Sequence, residues 1–152
     1  MRPFPHYYST HVSGSPSGYG EISSGGVTAL RTAPPAQFDG PGDAWSPEQF
    51  FLAAVASCFL FTLRAVARAS KVEFVGLDLD AEGIVDRRSG PTRFTEIVLR
   101  AALMVPAGAD PESARAALEK TESACLVSAS ISTPVRLEAD VREAPAALAV
   151  GQ

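Results

Sequence analysis

The stretch that decides the fold is residues 46–63, which read SPEQFFLAAVASCFLFTL. Ser46 is a typical N-cap residue, and Pro47 suits the first helical position because its missing N–H costs nothing there. Gln49 stands three residues after Ser46, so the two form a capping box. The pattern predicts a helix from about Pro47 to about Ala69.

The middle of this helix is apolar on almost every face. A helix that is apolar all round is normally buried all round, and a chain of 152 residues has limited means to surround one. We therefore predict an obligate homodimer with this helix near the shared core. Trp45, just before the cap, is expected to act as a hydrophobic staple or a pocket wall.

Length and composition describe an ordinary globular protein. Apolar residues make up 46% and charged residues 20% of 152 residues, which predicts one domain over residues 1–144 and a flexible tail over 145–152. The formal net charge of −4 argues against nucleic acid as a partner, because phosphate binding relies on clustered lysines and arginines.

The chain start lacks the pattern of a secretory signal, because prolines interrupt the first residues, MRPFPH. The longest apolar run, Phe50 to Leu63, has 14 residues, fewer than the roughly 18–20 that cross a bilayer. The sequence therefore predicts a cytoplasmic protein with no membrane partner.

The remaining elements are short strands, a hairpin, two helices and a last strand. Runs of strands, rather than strict alternation with helices, indicate the α+β class. We expect first an antiparallel meander of strands at 7–12, 19–22 and 27–32, and then a hairpin of strands 74–85 and 94–105 that turns through 87–91. Asp110-Pro111 opens a helix that leads toward Cys125 and carries Ala114, Ala117, Leu118 and Thr121. A short helix at 126–131 and a strand at 135–141 complete the chain.

Two cysteines, Cys58 and Cys125, lie among apolar neighbours in helical stretches. They are either buried structural thiols or a cooperating dithiol in which one thiol forms a sulfenic acid and the other condenses with it. Their spacing decides neither reading. With His6 and His11 they could supply four zinc ligands by count, but histidines five apart on a strand face opposite sides, and no metal site is predicted.

Three segments resemble the OsmC/Ohr family. Residues 46–59 resemble its signature, roughly N/S-P-E-x-L/F-L/F-A-A-A-x-A-x-C-F, and residues 94–99 resemble its F-x-E-I-x-L strand. Residues 124–131 resemble its second cysteine motif, C-P-x-S-x-A-L, with Leu126 in place of the proline. The likeness covers about residues 20 to 141.

The resemblance implies an OsmC-like fold, with antiparallel sheets around a buried central helix in an intertwined homodimer. It implies that Cys58 is the peroxidatic thiol and Cys125 the resolving thiol. The substrates would be organic or fatty-acid-like hydroperoxides. The reductant would be an external dithiol, protein-bound lipoyl groups included. No metal, flavin or haem cofactor is implied.

In the Ohr branch, an arginine from the N-terminal region, held by the glutamate of the P-E motif, favours the thiolate. Glu48 matches that glutamate and is predicted to be catalytic, but residues 17–22, where the arginine is expected, contain none. Arg31 is one alternative source of charge. The missing arginine places the chain with general OsmC-like proteins rather than with typical Ohr proteins. Ten residues, roughly 15 Å of helix, separate Glu48 from Cys58, so Glu48 cannot easily touch the thiol and a bridging group is expected. Alternatively, Glu48 only stabilises the helix dipole.

The aromatic residues of the helix suggest a substrate pocket. Phe51, Phe59 and Phe61 are predicted to line an apolar pocket that prefers a greasy hydroperoxide. The missing arginine keeps a second function open. On that hypothesis the chain is a non-catalytic dimer that binds an apolar ligand, with inert thiols.

Overall fold

The computed structural model describes residues 2–87 and 90–145 and confirms the α+β class. The described residues form two compact units, one up to Phe51 and one from Leu52 onward. Arg88 and Ser89 of the expected turn, and all of the expected tail after Pro145, lie outside the described residues. The elements are β1 (His11–Ser13), β2 (Gly20–Ser23), β3 (Leu30–Thr32), α1 (Pro47–Ser70), β4 (Gly76–Asp86), β5 (Arg93–Val105), α2 (Pro111–Ala124), α3 (Leu126–Ala129) and β6 (Val135–Glu143).

The first unit contains the predicted meander, an antiparallel sheet in the order β1-β2-β3. Its strands are shorter than the sequence suggested, and Tyr7 and Tyr8 are exposed and precede β1. A tight loop follows β3, in which the Gly40 amide donates to the Pro35 carbonyl at 3.0 Å. A Cβ at Gly40 would lie 1.7 Å from the Pro34 oxygen, so only glycine fits this turn.

The start of α1 is built as the sequence predicted. The Gln49 amide donates to Ser46 Oγ at 3.2 Å, and the Ser46 amide donates to Gln49 Oε1 at 2.9 Å, which completes the capping box. Trp45 stacks on Phe50 with ring centroids 5.6 Å apart. These two positions flank the cap as a hydrophobic staple, so that expectation is confirmed.

The second unit is built on a sheet in the order β4-β5-β6. The predicted hairpin of β4 and β5 is antiparallel, but β6 pairs with β5 in parallel, unlike the antiparallel pattern expected of the sheets. The reason is the connection: α2 and α3 lie between β5 and β6, and a crossover of this kind returns the chain in the same direction. The α2 residues buried against this sheet are the four that the sequence assigned, Ala114, Ala117, Leu118 and Thr121.

Within a single chain, α1 is buried along one stripe rather than on every face. Its buried residues are spaced at helical intervals: Val55, Phe59, Leu63, Val66 and Ala67. Phe61, on the other side of the helix, is 59% exposed. One copy of the chain therefore covers only one face of α1, and burial on every face stays a prediction that depends on a partner chain.

The same helix is longer than the apolar run that marked it in the sequence. One 18-residue window of α1 has a mean hydropathy of 2.0, and 28% of that window is buried. By length and composition α1 could span a bilayer, which corrects the expectation that no stretch reaches that size. This is weak evidence for a membrane span, because the core helix of a soluble protein meets the same criteria.

Candidate active site

The two cysteines of the second unit lie next to each other. Cys58 is on α1 and is half-buried, whereas Cys125 lies at the junction of α2 and α3 and is fully buried. The side chain of Cys125 is close enough to Cys58 to lower the pKa of its thiol. Of the two readings that the sequence left open, this contact favours a cooperating dithiol.

Cys125 is held in place by its position between two helices. Its amide donates to the Glu122 carbonyl at 3.3 Å as α2 ends, and its own carbonyl accepts from the Ala129 amide at 2.9 Å as α3 begins. It is thus both the C-cap of α2 and the N-cap of α3. The first amides of a helix have no intrahelical partner, so the amides of Leu126 and Val127 are free to point outward.

Those two amides are directed at Cys58. The backbone N–H groups of Val127 and Leu126 lie close enough to its sulfur to lower the pKa of the thiol. Thr62, one turn further along α1, places its Oγ1 3.9 Å from the same atom. Polar groups of α1 and α3 therefore lie beside the Cys58 sulfur.

These donors change the acidity of Cys58. Burial alone would raise the pKa of this thiol, because it penalises the thiolate. The hydrogen bonds from Val127, Cys125, Thr62 and Leu126 act in the opposite direction and together lower the pKa of Cys58 below its ordinary value. A lower pKa increases the thiolate fraction at neutral pH, and the thiolate is the nucleophile.

Sequence reasoning looked for a cation and did not anticipate these amides. One of the two amides could nevertheless have been found in the sequence, because Leu126 stands where the resembled motif has a proline. Proline has no N–H, so a chain with leucine at this position gains one donor. The other donor, Val127, could be recognised only from the position of α3 relative to Cys58.

Glu48, the third predicted site residue, lies in the first unit. It forms part of a cleft of about 460 Å³. Its Oε2 atom is buried and has no hydrogen-bond partner within the described part of the chain. Nothing described in the first unit therefore neutralises this oxygen.

Arg31, the alternative source of charge, is engaged elsewhere. Its guanidinium donates to the Asp43 carbonyl at 3.0 Å and lies 3.5 Å from the Asp43 carboxylate. It also stacks over the Tyr19 ring at 4.3 Å from the centroid, and the Tyr19 hydroxyl donates to Asp43 at 2.9 Å. Arg31 thus belongs to a surface cluster with Asp43 and does not bond to Glu48 Oε2.

The expected aromatic pocket is not formed as predicted. Phe59 is fully buried in the core, whereas Phe61 is 59% exposed. Two residues along a helix correspond to about 200° of rotation, so these side chains cannot line one wall. Among residues 2–87 and 90–145, no group of three or more His, Cys, Asp or Glu side chains is arranged to hold a metal ion.

Comparison with known proteins adds the family. Residues 40–140 match the family model described as OsmC-like protein. The chain belongs to the OsmC-like family. The uncharacterised protein YmaD of Bacillus subtilis (strain 168) is 30% identical over 144 residues, which cover 90% of this chain and 95% of YmaD.

Solved structures agree with this OsmC-like fold. An OsmC-like protein of unknown function from Vibrio cholerae superposes with a TM-score of 0.82 at 18% identity, covering 89% of this chain and 99% of that one. A Legionella pneumophila protein described as organic hydroperoxide resistance protein OsmC has a TM-score of 0.71 at 25% identity, with 91% and 98% covered. The resemblance and the OsmC-like α+β fold of the chain are confirmed, and the intertwined homodimer stays a prediction. The family and the names of such relatives support a peroxidase-like role.

Proposed function

We propose that this OsmC-like protein is a thiol-dependent peroxidase that reduces organic hydroperoxides. The observation that carries the proposal is the proximity of Cys125 to Cys58, beside the amides of Val127 and Leu126, which together lower the pKa of the Cys58 thiol. Cys58 is partly exposed and can meet a substrate, whereas Cys125 is fully buried beside it. These properties fit an attacking thiol and a resolving thiol.

The reaction balances with sulfur alone. The Cys58 thiolate attacks the terminal oxygen of a hydroperoxide, the O–O bond breaks, and the alkoxide leaves as an alcohol after taking a proton. The resulting sulfenic acid condenses with the Cys125 thiol, which forms the disulfide and releases water. An external dithiol then reduces the disulfide by exchange and becomes a disulfide itself. Lipoyl groups of proteins belong to this class of reductant.

The test is turnover of cumene hydroperoxide with dihydrolipoamide as reductant. We expect Cys58→Ser to abolish turnover, and Cys125→Ser to consume one equivalent of peroxide and then accumulate over-oxidised Cys58. Ser57→Ala, next to Cys58 but exposed, is the matched control and should retain activity. Full dithiol-dependent turnover by Cys58→Ser would refute the proposal.

The assembly that we propose is a homodimer. The support is α1, whose most apolar window is only 28% buried in one chain and whose Phe61 is exposed. A second copy is the simplest cover for this surface, because exposed apolar patches of this kind are typical of interfaces. We place the protein in the cytoplasm, where reducing conditions keep a dithiol available.

A role for Glu48 in the reaction is also part of the proposal. Glu48 matches the glutamate of the resembled motif, and among the described residues its partly buried carboxylate has no hydrogen-bond partner at Oε2. We expect Glu48→Gln to lower the rate of peroxide reduction without abolishing disulfide formation. Equal rates for Glu48→Gln and the wild type would leave Glu48 with its alternative role at the helix dipole.

The second candidate is a dimeric binding protein with inert thiols. The observation that favours it is the cleft of the first unit, whose lining includes Ala33, Pro34, Pro35 and Phe38. Native mass spectrometry separates the two functions. A co-purified lipid together with thiols that do not react with cumene hydroperoxide supports binding. A loss of two hydrogens after one equivalent of peroxide supports catalysis.

A further inference from the structure

The hydroxyl of Thr62 on α1 contacts the sulfur of Cys58. Thr62 stands four residues after Cys58, a spacing that places two side chains on the same face of a helix. Its Oγ1 lies 3.9 Å from Cys58 Sγ, and both residues are half-buried. Among residues 2–87 and 90–145, this sulfur is the only hydrogen-bond partner of the Thr62 hydroxyl.

This partner differs from the one that hydroxyls inside helices commonly have. A serine or threonine hydroxyl there often donates to a backbone carbonyl of the preceding turn. Thr121 of α2 does so, because its Oγ1 donates to the Ala117 carbonyl at 2.7 Å. The equivalent bond for Thr62 would be to the Cys58 carbonyl, but its hydroxyl meets the Cys58 sulfur instead. The Thr62 hydroxyl is therefore available for chemistry at that sulfur.

The contact between Thr62 and Cys58 is loose enough to change during a reaction. It is about 1 Å longer than a typical O–H···O hydrogen bond, so the hydroxyl touches the sulfur without being closely bound to it. Threonine in a helix has two favoured χ1 positions, and rotation between them lets Oγ1 follow an atom that arrives at the sulfur. In the proposed reaction, the first such atom is the terminal oxygen of the hydroperoxide.

On the basis of the proposed peroxidase function, we infer that the Thr62 hydroxyl donates a hydrogen bond to the terminal oxygen of the hydroperoxide while that oxygen passes to Cys58. The S–O bond forms as the O–O bond breaks, the leaving alkoxide takes a proton from solvent, and Thr62 keeps its own proton. The same hydroxyl then holds the oxygen of the sulfenic acid, which leaves as water when Cys125 closes the disulfide. Thr62 is thus a catalytic residue that acts on the transferred oxygen.

The test is the rate constant with which cumene hydroperoxide oxidises Cys58 in variants of Thr62. Thr62→Val keeps the branched shape and removes the hydroxyl, so it should lower this rate constant about fivefold, the worth of one ordinary hydrogen bond. Thr62→Ser retains a hydroxyl and should recover most of the rate. Ser57→Ala removes a hydroxyl beside Cys58 that donates to the Ala54 carbonyl, and this matched control should leave the rate unchanged.

A second reagent separates this role from an effect on the acidity of Cys58. Burial raises the pKa of Cys58, and the groups around it, Thr62 among them, lower it. Both reactions are therefore compared at the alkaline limit of their pH profiles, where the thiol is fully ionised. Iodoacetamide transfers no oxygen to sulfur, so its limiting rate should be equal in the wild type and Thr62→Val, whereas the limiting rate with cumene hydroperoxide should fall. Peptide mass spectrometry of Cys58 follows both reactions.

The outcomes separate this role of Thr62 from the proposed function as a whole. Unchanged peroxide oxidation in Thr62→Val, or an equal loss with both reagents, overturns the role of Thr62 while the wild type remains a peroxidase. A wild-type protein that does not react with cumene hydroperoxide overturns both. If Thr62→Val does not fold, Thr62→Ala, whose alanine favours a helix, also lacks the hydroxyl and should show the same selective loss.

Discussion

The buried side chain of Cys125, at the α2–α3 junction, lies close enough to the half-buried Cys58 of α1 to lower the pKa of its thiol. The two cysteines are therefore unequal by position. Cys58 is both the more accessible thiol and the one whose pKa is lowered by its neighbours. This asymmetry assigns the attacking role in our proposal and leads to the first two predictions.

The first prediction concerns the pH dependence of Cys58 alkylation. A cysteine in an unfolded chain has a pKa of about 8.5, and hydrogen bonds place the pKa of folded Cys58 lower. Its reaction with iodoacetamide, followed by peptide mass spectrometry, should therefore reach half its maximal rate at a lower pH than in the denatured chain. A midpoint at or above that of the denatured chain would contradict the geometry.

The same shift has a consequence for stability. Because the folded pKa is the lower one, thiolate stabilisation contributes fully above the unfolded pKa and is lost as the pH falls through the folded pKa. The wild type should therefore gain stability relative to Cys58→Ser between neutral pH and about pH 9. Urea unfolding across this range measures the difference, and a constant difference would count against the shift.

The second prediction concerns Leu126, whose amide bonds to Cys58. Proline suits the first position of a helix, and Cys125, at φ −68° and ψ 116°, has the extended backbone that a following proline requires. Leu126→Pro should therefore fold and raise the pKa of Cys58 only part of the way to its ordinary value, since the Val127 amide remains. Leu126→Ala keeps the amide and should leave the alkylation midpoint unchanged.

The third prediction concerns the capping box of α1. Ser46 is buried, and its Oγ accepts from the Gln49 amide. Ser46→Ala should lower the free energy of unfolding by about 1 kcal/mol, measured by urea denaturation at fixed protein concentration. Ser57→Ala removes an exposed hydroxyl that bonds only within its own turn and should have a smaller effect.

The fourth prediction concerns Gly40. A Cβ there would meet the Pro34 oxygen at 1.7 Å, so Gly40→Ala must displace backbone and should cost about 1–3 kcal/mol. Gly25→Ala is the matched control, because a Cβ at that position meets nothing within 4 Å. Equal thermal unfolding midpoints for the two variants would show that the loop tolerates the displacement.

The fifth prediction tests the homodimer. Phe61 is 59% exposed on the uncovered face of α1, so Phe61→Glu places a charge in the proposed interface and should shift the sedimentation equilibrium toward the monomer by at least tenfold. Val27→Glu, at a position that is 68% exposed in a loop, should not change it. A wild-type protein that sediments as a monomer would refute the proposed assembly.

Much of the fold was readable from local patterns. The capping box and the staple around Ser46 depend on residues a few positions apart, so the sequence contains all of their partners. The buried face of α2 follows from helical spacing, and β4 and β5 follow from alternation and a short connection. The three-residue β1 was placed less accurately, because such a short strand carries little periodic signal.

The sequence by itself determined the class, the helix ends and which two residues could do redox chemistry. Only the tertiary structure brought Cys125 to Cys58, paired β6 in parallel with β5 and directed the amides of Leu126 and Val127 at the thiol. Local elements follow from the spacing of neighbouring residues. The meeting of distant segments depends on how α2 and α3 cross over the sheet, and no single stretch of sequence encodes that path.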